Sequence, residues 1–375
     1  MRTTLHPAAA PARIGDAGDV RKNRRQAALA IIRGETKMRF IICGAGGLGS
    51  VIGGMLARAG EDVTLVGRAR HMDAIKANGL RISGIYGDFV VRDNLTCVTH
   101  PRDAVGEFDL MILLTKAKDT ATALSEAQAI RDRVRMVCSF QNGVGKEDRL
   151  REWAGGDKVI GASTIEGGVL LEPGHTMAGL TTPTTAYFGE LDGGITPRIE
   201  TVVAAFQNAG FGTRAVADIR QVLWEKLMQI GTASGWSVST LGLPLTFPDG
   251  LEVREGAVNY IALARDFLKV YKAMGYEPQN FYAPMGQFRE FDSLPLDQAV
   301  ELMMKVGVRF RERAKASGET EGRTSMHQDL HRRRKMEVDV ILKPYLDQAA
   351  ELGIDVPVLQ YVYGVAKVQD SVLAD

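Results

Sequence analysis

Cysteine is scarce in this chain. Cys43, Cys97 and Cys138 are its three cysteines in 375 residues, too few and too scattered for a disulfide framework, and no C-x-x-C pair is present. Cys43 and Cys138 sit inside apolar runs and read as small core residues in a reducing cytosol. No apolar run approaches the length of a membrane span. An excess of one charge is missing too. Lys and Arg number 46 against 45 Asp and Glu, a net charge of +1 that gives no reason to expect nucleic acid or a membrane surface as a partner. The basic run Arg332-Arg333-Arg334-Lys335 reads as a solvated face on this near-neutral background. Residues 1–37 are rich in Ala and Arg and lack the apolar core of a secretory signal. They read as a disordered leader, or as a start-site artefact ahead of Met38.

What the chain does have is a glycine turn in a telling place. Met38–Gly49 runs from an apolar strand (Phe40-Ile41-Ile42) into Gly44-Ala45-Gly46-Gly47-Leu48-Gly49. Gly44, Gly46 and Gly49 supply the G-x-G-x-x-G spacing: a tight turn, close approach of backbone to a pyrophosphate, and close packing of helix on strand. A helix over Ser50–Ala59 would point its amides at the phosphates, with Gly47 and Leu48 at its mouth. A second strand, Asp62–Val66, ends in Gly67-Arg68-Ala69-Arg70. NAD binders place an acid there, about 20 residues past the glycines. Here the acid is absent and Arg68 suits a 2′-phosphate, so the cofactor reads as NADP(H). The bland alternative for Arg68 is a solvated turn residue.

From 38 to about 205 strand-like and helix-like segments alternate, as in a doubly wound parallel sheet. Strands are expected at Phe108–Leu114, Val134–Phe140, Val159–Thr164 and Thr185–Phe188, and a helix at 197–209. Beyond about 212 the pattern turns to long amphipathic helices, at Val253–Ala273, Pro295–Ala316 and Tyr345–Leu352. Pro344 is out of place in a helical segment, where it should kink the helix. The fold class is therefore α/β: an N-terminal Rossmann-type domain over 38–208 and a mainly α-helical C-terminal domain over 209–375. The helical domain could supply a homodimer face.

Seven ordered pieces resemble the 2-dehydropantoate (ketopantoate) 2-reductase family. They are the glycine turn, Arg68, the Lys116 turn, Gln141-Asn142-Gly143, Trp224-x-Lys226, Ser325-Met326-x-Gln328-Asp329 and Glu337-Val338-Asp339. The closing Leu352–Pro357 stretch is similar to the family's tail. The resemblance implies hydride transfer from NADPH to the C2 carbonyl of a 2-oxo acid in the cytoplasm, in pantothenate biosynthesis. It implies Lys226 as the catalytic lysine, Glu337 as its acidic partner, Ser325 as a substrate ligand, Asn142 as a contact of cofactor and substrate, and Lys116 near the cofactor. Each has a plainer alternative: an exposed helix lysine for Lys226, a first-turn carboxylate for Glu337, a helix N-cap for Ser325, a turn former for Asn142, and a solvated strand-end residue for Lys116.

This chain departs from the family pattern on the helix after Lys226. Where the best-studied members carry asparagine four and eight residues on, it has Ile230 and Ser234. Loss of an amide from a buried pocket removes hydrogen bonds that a polar substrate needs. A more apolar 2-oxo acid is therefore the alternative substrate. The glycine turn also looks like the opening of ATP-dependent adenylating enzymes, but the acid and the paired C-x-x-C motifs of those enzymes are missing. No metal site is expected. His327 and His331, four apart, lack the glutamate of a zinc protease motif and read as surface residues.

Overall fold

The structure, a computed structural model, describes residues 37–179, 182–317 and 322–374. The expected leader, apart from Lys37, lies outside them. The first half contains β1 (Arg39–Cys43), α1 (Gly47–Arg58), β2 (Asp62–Val66), α2 (Ala69–Asn78), β3 (Leu80–Gly84), β4 (Phe89–Val91), β5 (Leu95–Val98), β6 (Phe108–Leu113), α3 (Thr120–Glu126), β7 (Val134–Ser139) and α4 (Lys146–Ala154). It continues with β8 (Gly161–Thr164), β9 (Gly168–Glu172), β10 (His175–Ala178), β11 (Ala186–Gly189), α5 (Pro197–Asn208) and β12 (Thr213–Ala215).

The central sheet has the order β5-β2-β1-β6-β7 with every pairing parallel. Both of its faces are covered, which explains the unbroken apolar runs. Phe40, Ile42, Leu110 and Ile112 face one core together with α1 and α5. Ile41, Cys43, Met111 and Leu113 face another. On the first side the rings of Phe140, Phe188 and Phe206 meet edge to face, with centroids 4.9 to 5.9 Å apart. All three cysteines are free and buried.

The strand order reverses between β1 and β6, which opens a crevice at their carboxyl ends. The glycine turn lies there. The expected strands and the 197–209 helix are present to within two residues of their bounds. The first helix is a correction: it starts at Gly47, three residues before the expected Ser50, so the glycines themselves form its first turn.

Two smaller sheets were not expected. One has the order β4-β3-β10-β9 and mixes parallel and antiparallel pairs; the other is β12-β11-β8. The first presses on the glycine turn. The Thr176 hydroxyl donates to the Gly47 carbonyl at 3.0 Å. The Gly174 amide donates to His71 Nδ1 at 2.9 Å, and His71 Nε2 lies 2.9 Å from the Ser50 hydroxyl on α1.

The second half is helical: α6 (Ile219–Thr240), α7 (Phe247–Leu251), α8 (Arg254–Ala273), α9 (Phe288–Ser293), α10 (Leu296–Ser317), α11 (Ser325–His331), α12 (Val338–Ile341), α13 (Lys343–Leu352) and α14 (Pro357–Ser371). Helix α6 joins the two halves. Asp218 caps it by accepting from the Gln221 amide. Its first turns put Ile219, Val222 and Leu223 into the core of the nucleotide half. Its later turns put Leu227, Met228 and Trp236 into the helical core. The helix runs unbroken through Gly231 and Gly235, against which Phe267 of α8 and Val362 of α14 pack. Pro344 does not kink a helix. It lies in the first turn of α13, where its missing N–H has no partner to lose. Gly353 ends that helix, as its position before Pro357 suggests.

A methyl group at Gly47 would run into the backbone of Gly168 on β9. Gly47→Ala should therefore cost about 1–3 kcal/mol of stability through overpacking. Denaturant unfolding checks this: the midpoint should fall while the slope stays constant.

Candidate active site

At the nucleotide end, the turn is tied to β2. The amides of Gly44 and Ala45 both donate to the Val66 carbonyl, at 3.1 and 2.9 Å. Gly44 has φ +111°, and a Cβ there would stand 2.6 Å from the Leu114 carbonyl carbon at the end of β6, so only glycine fits. Gly46 differs. It is exposed, its φ is −86°, and a Cβ there would meet nothing within 4 Å. It is the N-cap of α1, no side chain caps the helix, and the first turn carries no acid. The amides of Gly47, Leu48 and Gly49 have no partner within the helix, and beside the exposed Gly46 that arrangement fits a phosphate group. Arg68 follows β2 as the exposed N-cap residue of α2. These residues fit a dinucleotide laid along the crevice.

At the other end the two halves meet. Lys226 lies about two turns past the capped start of α6 and is 7% exposed. Its Nζ donates to Asn142 Oδ1 at 3.3 Å. Asn142 Nδ2 donates in turn to Glu337 Oε2 at 3.3 Å, and Glu337 Oε1 accepts from the Ala117 amide at 3.4 Å. Lysine, amide and carboxylate so form a chain that crosses between the halves. Next to it Lys116 Nζ pairs with Asp329 Oδ2 of α11 at 3.4 Å. Gln141 braces the loop from below, with its side-chain amide donating at 2.8 Å to both the Thr115 carbonyl and the Thr120 hydroxyl.

The electrostatics of Lys226 are unusual. Burial pushes its pKa down to about 7; the Lys146 cation adds to the fall, and Glu337 and then Glu147 act against it. An amine with that pKa can give and take a proton near neutrality.

The structure thus brings together Lys226, Asn142, Glu337 and Lys116. Ile230 and Ser234 follow Lys226 at one-turn intervals on α6; Ser234 is 2% exposed, and Ile230 packs partly against the helical core. Ser325 is exposed and is not the N-cap of α11. Thr324 is, accepting from the His327 amide. Glu337 is the residue before α12 and not in its first turn. His331 is exposed as expected, but His327 is fully buried, because α11 turns it into the protein. No cluster of metal-ligating side chains is present among the described residues, and no helix there is long and apolar enough to cross a membrane. The reading of motifs passed over Lys146 and Glu147, which are buried beside the trio at the start of α4. The sequence signals only a helix start there, with acids in its first turn.

A parallel sheet with a glycine helix at its switch point, together with a buried lysine held where the two halves meet, marks a nucleotide-dependent oxidoreductase. Comparison with known proteins narrows this. The family model described as ketopantoate reductase PanE/ApbA matches residues 40–193, and that of its C-terminal part matches 218–370. The 2-dehydropantoate 2-reductase of Archaeoglobus fulgidus is 32% identical over 320 residues, 84% of this chain and 92% of that protein. A crystal structure of 2-dehydropantoate 2-reductase from Geobacter metallireducens superposes with a TM-score of 0.70 at 24% identity, covering 88% of this chain and 99% of that one. A D-mandelate dehydrogenase, solved with NADH and anilino(oxo)acetate, shares the fold with a TM-score of 0.68 at 20% identity over 89% and 99% of the two chains. The chain belongs to the ketopantoate reductase family. It is an oxidoreductase of the CH–OH class that acts on a 2-oxo acid, and the glycine turn belongs to that fold and not to the adenylating enzymes.

Gly46→Ala separates folding from cofactor binding. Its Cβ enters open space, so thermal unfolding should match the wild type, while nicotinamide dinucleotide affinity, read by fluorescence titration, should fall at least about tenfold as the methyl group obstructs the phosphates. Unchanged affinity would place the phosphates elsewhere.

Proposed function

We propose that the chain reduces 2-dehydropantoate to pantoate with NADPH, with residues 38–208 holding the cofactor and 209–375 carrying the catalytic lysine. The observation that carries this reading is the buried Lys226 amine, held by Asn142, which is itself held by Glu337, where the two halves meet. A dinucleotide held by its pyrophosphate at Gly44–Gly49 would supply, from its nicotinamide, the hydride for C2 of the substrate. Lys226 polarises the C2 carbonyl and gives its proton to the oxygen as negative charge develops there. Asn142 keeps the amine in place, and Glu337 fixes Asn142 and favours the charged lysine. Ser325 is assigned to the substrate carboxylate and Lys116 to the cofactor side of the cleft. For NADPH over NADH the support is Arg68 at the end of β2, with no acid beside it.

Ile230 favours a second reading, in which a bulkier and more apolar 2-oxo acid is preferred. It stands one turn beyond Lys226 on the same helix, where an apolar side chain cannot hydrogen-bond the substrate. The D-mandelate dehydrogenase of the same fold was solved with anilino(oxo)acetate, so aromatic 2-oxo acids belong among the substrates assayed.

NADPH oxidation, followed by absorbance with ketopantoate and a panel of 2-oxo acids, tests both readings. Lys226→Ala should lower kcat/KM by about 10²–10⁴-fold and leave NADPH binding intact. The sign of the pH dependence follows from the lowered pKa. Reduction needs the ammonium, so kcat/KM should fall as pH rises through about 7; oxidation of the hydroxy acid needs the amine and should rise through the same region. Arg68→Ala should weaken NADPH by about 1.5–3 kcal/mol, the range for a hydrogen bond to a charged group, and leave NADH unchanged in a parallel titration.

A further inference from the structure

Beside the trio stands a second cation that the reaction outlined above does not use. Lys146 opens α4, and its Nζ lies 2.8 Å from Glu147 Oε1, with each side chain 6% exposed. The first turn of a helix favours acids, not a lysine. A buried ion pair is also a weak source of stability, because desolvation of two charges offsets their attraction. Something other than helix formation therefore accounts for Lys146. Its Nζ also points at the Gly143 carbonyl, 3.5 Å away, and Gly143 follows Asn142 directly. On the other side of that loop, Val340 of α12 leaves no room for a Cβ at Gly143, which has φ +92°. The loop that presents Asn142 to Lys226 is thus gripped between the ion pair and the helix that follows Glu337.

We propose, resting on the assignment of Lys226 above, that Lys146 and Glu147 are a positioning pair: Lys146 steadies the Asn142 loop, and the opposed charges of the pair set how tightly Lys226 holds its proton. The charged groups that face Lys226 are Lys146 and Glu147 from α4 and Glu337 from the segment before α12. The neighbouring Glu225 is taken up by the amides of Gln279 and Phe281, and Lys116 pairs with Asp329. After burial itself, the Lys146 charge has the largest effect on Lys226 and opposes its protonation; Glu147 has a smaller effect of opposite sign. The two partners should therefore push Lys226 in opposite directions. A purely structural pair would not.

The test is the pH dependence of Lys226 acylation by acetic anhydride in the full-length chain, read by mass spectrometry, alongside the pH profile of kcat/KM. Lys146→Met should move the Lys226 midpoint up by about half a unit or more. Glu147→Gln should move it down, and Lys146→Arg should restore the wild-type midpoint. If a single variant does not fold, Lys146→Met/Glu147→Gln, which buries no lone charge, should still show an upward shift. Equal midpoints in variants that still bind NADPH, or shifts of the same sign for both partners, would overturn the pair's role. Loss of the assignment beneath it looks different: Lys226→Ala would then turn over substrate normally, whatever the midpoints.

Discussion

Everything in this molecule that bears on chemistry depends on one buried ammonium. Lys226 sits in a seam between two hydrophobic cores, where water cannot stabilise its charge. A lone buried ammonium is costly, and Asn142, Glu337 and the partial neutralisation of the amine together make the position tolerable. Helix α6 creates the seam, because its first turns belong to one core and its later turns to the other. The site exists only when both halves are folded and docked. Its contacts across the seam, Lys226 to Asn142, Glu337 to Ala117 and Lys116 to Asp329, are also contacts that hold the halves in register.

The nucleotide end obeys a different constraint, set by how closely backbones approach. Gly44 abuts the end of β6, and Gly47 abuts Gly168 on β9, so these two glycines answer to packing within the protein. Gly46 answers to nothing inside it, which leaves its space for a ligand. The four-stranded sheet behind the turn, through Thr176 and the His71 bridge, holds the first turn of α1 still. A rigid cradle loses little entropy when the dinucleotide is bound.

Much of this was legible in the sequence where local pattern and tertiary environment agree. β1, the glycine turn and β2 were readable because both faces of the central sheet are covered, so apolar runs stand out. The β3–β4 and β9–β10 strands were not. They belong to a half-exposed mixed sheet, and β9 carries Val169, Leu170 and Leu171 on its exposed outer edge, with no clean alternation. Pro344 looked like a kink because the break between α12 and α13 leaves no mark of its own in the sequence. His327 looked like a surface residue because helix spacing says which residues share a face, but not which face is turned inward. The trio Lys226, Asn142 and Glu337 came from ordered motifs; that Asn142 bridges the other two is a fact of three dimensions. Lys146 was missed for a related reason: burial of a lysine at a helix start is decided by what packs over it.

The most direct test of the central claim is a crystal structure of the ternary complex with NADP⁺ and ketopantoate, a pair that cannot react. The account requires the Lys226 Nζ to lie within hydrogen-bond distance of the C2 carbonyl oxygen, about 2.7–3.2 Å, with the nicotinamide across the carbonyl from it. A carbonyl oxygen held by other groups, with Lys226 still turned only to Asn142, would contradict it.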